Sequence, residues 1–311
     1  MDRERARQRL GGCYVTIPTM FRDEDMELNL EAMRRHVRFL LEGGITETTG
    51  VLLAGGAAGD FSTMTLDERV RVAETVVHEA SGRILVVMGA QTTSTRELVQ
   101  LARAAERVGA EYIQVSPPYY FQSTEDDFYE YVLAASEAAD VGLVVYNTFW
   151  TSADISMGMV DRLCELENMI GLKWSTPGLL DFERVVAHFS DRLCIIDNQL
   201  RFVTSHILGA TGFELHICNF WPQWGVRLLG MLEEERYAEV QREMMDVVVP
   251  FYDVWMEMEK HTSGDGYLDK LCMELVGLGS SRCRPPTRDL RDQFRDRTRE
   301  MLVQIGVPGI G

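Results

Sequence analysis

The chain has 311 residues, 46% of them hydrophobic and 25% charged, the balance of an ordinary globular protein, which excludes disorder and fibrous repeats. A net charge of −17, from 48 acidic and 31 basic residues, repels phosphate backbones and anionic lipid, so neither nucleic acid nor a membrane is expected as partner. No apolar run reaches the roughly 20 residues of a membrane span, the opening MDRERARQRLGG lacks the apolar stretch of a secretory signal, and the six cysteines form no CxxC pair, so a cytoplasmic protein with reduced thiols is expected.

Short apolar runs then alternate with longer helical patterns. Strands are predicted at Cys13–Ile17, Gly50–Ala54, Ile84–Met88, Tyr112–Val115, Leu143–Tyr146, Ile170–Lys173, Cys194–Ile196 and Gly212–Leu215. Between them, apolar residues spaced three and four apart predict helices, among them Leu28–Leu41, Leu66–Ala80, Thr95–Val108, Asp126–Ala139 and Met157–Leu166. Continuously apolar strands separated by crossover helices imply a parallel sheet covered on both faces. Eight such units match a closed (β/α)8 TIM barrel. The rival, an open doubly wound sheet, calls for a GxGxxG fingerprint after an early strand, and none follows the first. Past Phe220 the strand pattern stops, and Met231–Glu259, Tyr267–Leu278 and Asp289–Ile305 read as helices. The expected organisation is a barrel over residues 1–220 with a helical extension over 221–311 packed on it, without a flexible linker.

Barrel chemistry collects at the C-terminal ends of the strands. Those ends read Gly55-Gly56-Ala57-Ala58-Gly59-Asp60, Gly89-Ala90-Gln91-Thr92, Pro117-Pro118-Tyr119-Tyr120-Phe121, Tyr146-Asn147, Lys173-Trp174-Ser175 and Asp197-Asn198. Only three of the basic residues are lysines: Lys173, Lys260 and Lys270. Arginine stays protonated, whereas a lysine can be neutralised and attack a carbonyl. Lys173 ends the buried run Met169-Ile170-Gly171-Leu172. Desolvation there favours the free amine, the form that makes a Schiff base. The plainer alternative is a strand-end lysine that snorkels or pairs with a carboxylate. Lys260, near a helix end among Glu257, Glu259 and His261, reads as solvated charge, and Lys270 as structural. Tyr146 closes the neighbouring strand, where a phenol can pass protons to a carbinolamine or simply fill the rim. Tyr119 and Tyr120 read as loop aromatics, at a subunit contact or at the site. The glycine-rich turn around Ala57-Ala58 offers backbone N–H groups to an anion, or is only a flexible turn. The scattered histidines form neither HExxH nor HxH, so no metal site is expected.

Taken in order, these residues resemble the dihydrodipicolinate synthase / N-acetylneuraminate lyase family of class I aldolases. The resemblance runs from about Cys13 to Ile305 and rests on Gly56–Asp60 with Leu66-Asp67-Glu68-Arg69, Pro118-Tyr119-Tyr120, Tyr146-Asn147, Gly171-Leu172-Lys173, Gly209-Ala210-Thr211-Gly212 ahead of Asn219, and Arg284-Pro285-Pro286. It implies a homotetramer built as a dimer of dimers, and an imine between Lys173 and a 2-oxo acid such as pyruvate, with no other cofactor. It also implies that Tyr146 is the acid/base, that Tyr120 reaches in from a neighbouring subunit, and that Ala57-Ala58 holds the keto-acid carboxylate.

Three departures stand out. Ala57-Ala58 replaces two hydroxyl residues, often Thr-Thr, that link the tyrosines. Thr148-Phe149-Trp150-Thr151 follows Tyr146-Asn147 where the synthases carry Pro and a carboxylate-gripping Arg. Phe213-Glu214-Leu215-His216, then Phe220-Trp221-Pro222, stands on strand eight where small or apolar residues are common. Asn147 and Glu214 are expected to contact substrate. Glu214 or Asp60 is a candidate proton carrier in place of the lost hydroxyls, with an ion pair to a barrel arginine as the alternative for Glu214. Phe149, Trp150, Trp174, Phe220 and Trp221 predict a more aromatic pocket. The expected activity is a Schiff-base lyase or aldolase acting next to a 2-oxo acid and an aldehyde, other than the lysine-biosynthesis synthase. The alternatives are a 2-oxo acid dehydratase or hydratase-aldolase on the same scaffold, or a ligand-binding barrel without turnover.

Overall fold

The computed structural model describes residues 2–310. Eight strands, β1 (Gly12–Ile17), β2 (Gly50–Ala54), β3 (Leu85–Gly89), β4 (Tyr112–Val115), β5 (Gly142–Tyr146), β6 (Met169–Trp174), β7 (Cys194–Asp197) and β8 (Gly212–Glu214), pair in parallel and in sequence order. The circle closes where β8 meets β1 through Cys13 and Phe213, giving the expected (β/α)8 TIM barrel. Every strand residue is buried, which is why the strands read as unbroken apolar runs rather than alternating ones.

Inward and outward faces still alternate. Tyr14, Val51, Leu53, Leu85, Val87, Tyr112, Val144, Cys194 and Ile196 fill the barrel interior, while their strand neighbours Val15, Leu52, Val86, Ile113, Val145 and Ile195 pack outward under the helices. The helices are α1 (Arg3–Arg9), α2 (Leu30–Glu42), α3 (Leu66–Ala80), α4 (Thr95–Val108), α5 (Glu125–Ala138), α6 (Met157–Leu163), α7 (Leu179–Phe189), α8 (Phe202–Ile207), α9 (Pro222–Glu233), α10 (Tyr237–Glu243), α11 (Val249–Glu259), α12 (Tyr267–Leu275) and α13 (Arg291–Gln304). Thr65 and Thr124 start α3 and α5 with capping boxes, satisfying amides that a helix start leaves free.

Helix α1, which the sequence pattern did not single out, plugs the lower end of the barrel with Ala6 and Leu10. A Cβ on Gly171 of β6 would lie 2.5 Å from Leu10, so glycine there lets the plug seat. The predicted single helix over Met231–Glu259 is two: α9 starts at Pro222 and ends before a turn at Glu234–Arg236, and the chain is then helical from Tyr237 to Glu259. Within that second run Met244–Val248 winds as a π-helix ahead of Pro250, which cannot donate into a regular α-helix. Residue 220, where the barrel is expected to give way to the extension, lies just before α9. Arg284 in the late return segment donates to both carboxylate oxygens of Glu68, at 2.6 and 2.9 Å, and so ties the extension to α3. Among the described residues no helix is long and apolar enough to cross a membrane.

Candidate active site

The inward positions turn polar toward the C-terminal end of the barrel. Above the apolar layer stand Thr16 on β1, Gln114 on β4, Tyr146 on β5, Lys173 on β6 and Glu214 on β8, and all five line a cavity of about 630 Å³. Strand register puts Tyr146 directly beside Lys173. The Lys173 Nζ lies 4.5 Å from the Tyr146 ring centre and 5.3 Å from that of Tyr14. Lys173 is only 4% exposed, and among the described residues it makes no ion pair. Burial therefore lowers its pKa from the ordinary lysine value, with Glu214 and Asp265 partly opposing the shift. The result is an amine held toward its neutral form on the floor of a cavity.

Tyr146 accepts a hydrogen bond from Asn198 Nδ2 at 3.0 Å, which leaves the phenolic proton free to face the cavity. Burial, with the carboxylates Glu214 and Asp265, raises its pKa well above the usual phenol value, so at neutral pH it holds its proton and can donate it. Asn147, expected to touch substrate, does not line the cavity. It is fully buried; its Nδ2 donates to Asp154 and to the Ser175 carbonyl, and its Oδ1 accepts from the Ile155 amide. Its backbone amide donates to the Lys173 carbonyl, so it positions the end of β6.

Ala57 lines the cavity and Ala58 is fully buried beside it. Among the described residues the amides of Ala57 and Ala58 donate to no acceptor, and neither side chain carries a hydroxyl. Gly266, at the start of α12, packs on this turn, and a Cβ there would stand 2.4 Å from the Ala58 carbonyl. Asp60, the other candidate proton carrier, lines the cavity, and its Oδ2 takes the Lys270 ammonium at 2.6 Å in a buried pair. Glu214 is only 6% exposed and, among the described residues, makes no hydrogen bond or ion pair, so the arginine pairing weighed for it is absent.

Of the five aromatics expected in the pocket, only Trp150 lines it. Trp174, Phe220 and Trp221 belong to the outer core. Successive strand residues face opposite ways, so Trp174 turns outward because Lys173 turns inward. The aromatic wall comes instead from Phe61, Tyr119, Tyr252 and Trp255. Tyr120 is 80% exposed and stays outside its own cavity, edge-on to Phe121 at 4.7 Å.

Helices α11 and α12 supply groups that the sequence pattern left unassigned. His216, just past β8, lines the cavity and pairs through Nδ1 with Asp269 Oδ2 at 2.9 Å. Burial opposes its charge, but Asp269, Glu214 and Asp265 outweigh burial and raise its pKa to about 10. Asp265 lines the same cavity, and burial pushes its carboxyl up to about 6 against the pull of His216. A helical reading of 267–278 carries no signal that its first turns face a barrel mouth. Among the described residues no cluster of three or more His, Cys, Asp or Glu side chains is placed to hold a metal ion.

The dihydrodipicolinate synthetase family model matches residues 9–305. A 4-hydroxy-tetrahydrodipicolinate synthase of Pelobacter propionicus is 30% identical over 287 residues, 91% of this chain and 94% of the relative. The crystal structure of dihydrodipicolinate synthase from Oceanobacillus iheyensis superposes with a TM-score of 0.86 at 25% identity, covering 97% of this chain and 98% of the other. The chloride-inhibited dihydrodipicolinate synthase from Acinetobacter baumannii, solved with pyruvate, shares the fold with a TM-score of 0.85 at 22% identity, over 96% and 99% of the two chains.

Proposed function

The chain belongs to the dihydrodipicolinate synthetase family of class I lyases and aldolases, and on that premise we propose that it makes or breaks a carbon–carbon bond next to a 2-oxo acid through an imine on Lys173. The observation that carries this reading is the buried Lys173 amine, without an ion-pair partner among the described residues, on the cavity floor beside Tyr146. The amine attacks the keto carbon, and Tyr146 donates the proton that lets the carbinolamine oxygen leave as water. The resulting iminium draws electrons from the adjacent carbon, whose proton passes to the Tyr146 oxygen left deprotonated by the departing water, giving an enamine. The Ala57 and Ala58 amides hold the substrate carboxylate in place of the missing hydroxyls. Tyr120 serves the cavity of a neighbouring subunit in a homotetramer, in the cytoplasm.

Among the described residues no arginine lines the cavity, and the loop Thr148-Phe149-Trp150-Thr151 offers none. An aldehyde bearing its own carboxylate therefore finds no arginine partner, which supports a reading other than the lysine-biosynthesis synthase. The wall of Phe61, Tyr119, Trp150, Tyr252 and Trp255 favours a second form of the same chemistry, a hydratase-aldolase acting on an aryl-substituted 2-oxo acid. Product analysis separates the two.

Borohydride trapping tests the shared step. With pyruvate, the reduced adduct is expected on Lys173 by peptide mass spectrometry, and Lys173→Ala is expected to give no adduct and to lose activity by about 10³-fold or more. An active preparation without an adduct, or full activity in Lys173→Ala, overturns the reading. An adduct without turnover of any keto acid points instead to the ligand-binding barrel.

A further inference from the structure

Imine chemistry at Lys173 and Tyr146 leaves unused a second group of titratable side chains in the same cavity. His216 opens a short helical turn, His216–Asn219, immediately after β8. Its Nδ1 meets Asp269 Oδ2 at 2.9 Å, and the other Asp269 oxygen accepts from Asn219 Nδ2 at 3.2 Å. Asn219 Nδ2 is held in turn by the Thr16 carbonyl at 3.0 Å. Asp269 is fully buried, so both its oxygens are committed and it fixes the imidazole as an orienting carboxylate does. The ring is clasped by Trp255 at 4.6 Å and Phe251 at 6.1 Å. Nε2 is left without a partner among the described residues, on a ring that lines the cavity.

We propose that His216 is a catalytic residue, its Nε2–H donating to the oxygen of the carbonyl partner in the carbon–carbon step, and that this partner is an uncharged aldehyde or ketone. The proposal rests on the imine reading of Lys173 and assigns the other half of the reaction. In the forward direction the enamine carbon bonds to the partner's carbonyl carbon. The C=O π pair moves to oxygen, oxygen takes the proton from Nε2, and the Lys173 nitrogen becomes the iminium that water later hydrolyses. In cleavage the imidazole takes the hydroxyl proton back, and the carbon–carbon pair flows to the iminium. Between turnovers His216 exchanges this proton with solvent through the cavity mouth.

The groups around the ring fit a donor. Asp269 on α12, Glu214 on β8 and Asp265 ahead of α12 hold the imidazole in its charged form at neutral pH, the state that stabilises a developing alkoxide. Lys173, whose pKa burial lowers, is not among the groups that shift the imidazole. Glu214, Asp265 and Glu259 also line the cavity. They repel a second carboxylate on the partner, which is why the partner is assigned as uncharged.

Two readouts on the full-length chain test this. Borohydride trapping with pyruvate reports the imine. Consumption of pyruvate with glyceraldehyde, benzaldehyde or succinic semialdehyde reports the carbon–carbon step. In His216→Asn and His216→Gln, trapping is expected to stay within about twofold of wild type while kcat for the carbon–carbon step falls about 10²-fold or more. Asp269→Asn is expected to move the alkaline limb of the carbon–carbon step, but not that of trapping, to lower pH. If either folded His216 variant, checked by circular dichroism, traps pyruvate and keeps kcat within about threefold, His216 is not the donor. Faster use of succinic semialdehyde than of both neutral aldehydes, or trapping without use of any neutral aldehyde, overturns the assignment of an uncharged partner. Absence of trapping in the wild-type protein removes the imine reading itself.

Discussion

Lys173 and Lys270 are both buried lysines, 4% and 1% exposed, and one neighbour separates their chemistry. Lys270 donates to Asp60 at 2.6 Å and to the Arg282 carbonyl at 3.2 Å, so its charge is compensated and fixed. Lys173 has aromatic rings for company and, among the described residues, no carboxylate in ion-pair contact. Removing one partner of a buried pair strands the other, at about 3–5 kcal/mol. Lys270→Met should therefore destabilise the fold by that amount, read as a lower urea midpoint, because Asp60 is left buried without its cation. Lys173→Met should be inactive yet melt at or above the wild-type temperature, since it removes an uncompensated buried amine. A Lys173→Met variant that loses stability as Lys270→Met does would mean that Lys173 is structural. The scarcity of lysine pointed to Lys173 from sequence. What marked Asp60 as spoken for was invisible there, because its partner lies 210 residues further along the chain.

At the scale of elements, the barrel was legible and the second half of the site was not. Strands buried on both faces announce themselves as apolar runs, and all eight fall within a residue or two of where they were predicted. Alternation within a strand was equally legible in principle and assigns Trp174 to the outer core. The break at Glu234–Arg236 carries neither glycine nor proline, so nothing local interrupted the helical period. Helices α11 and α12 bring Tyr252, Trp255 and Asp269 to the site through long-range packing, for which an amphipathic pattern holds no address. The return segment is held by Arg284 on Glu68, both about 14% exposed or less. The Arg284 hydrogen bonds, against a smaller opposing effect of burial, hold the Glu68 carboxyl down to about 2. A carboxylate depressed in the folded state contributes stability above its unfolded pKa, near 4.5, and loses it as pH falls from there toward 2. Glu68→Gln should thus cost on the order of 2 kcal/mol at pH 7 and little at pH 2.5. Urea titrations at the two pH values check it, and an equal cost at both would assign the contact to packing rather than charge.

For the whole molecule, the question is what a lone barrel leaves uncovered. Tyr120 and Phe121 stand 80% and 78% exposed at the rim, packed edge-on to each other, while Tyr119 one residue earlier turns into the cavity beside Phe61 at 6.3 Å. Exposed aromatic pairs next to a site are what a second copy covers in a closed two-fold assembly. If Tyr120 completes the partner's cavity, each site needs Lys173 from one chain and Tyr120 from the other. Lys173→Ala chains are then inactive and Tyr120→Ala chains strongly impaired. Unfolded together in equal amounts and refolded, they exchange partners. Half of the resulting pairs are mixed, and each mixed pair holds one site with both Lys173 and Tyr120 intact. Activity should recover to about one quarter of wild type, above the sum of the separately refolded parents. Recovery must track the mixed species in native mass spectrometry. Mixed pairs that form without gaining activity would confine Tyr120 to the contact and leave the proton path to Tyr146 within one barrel.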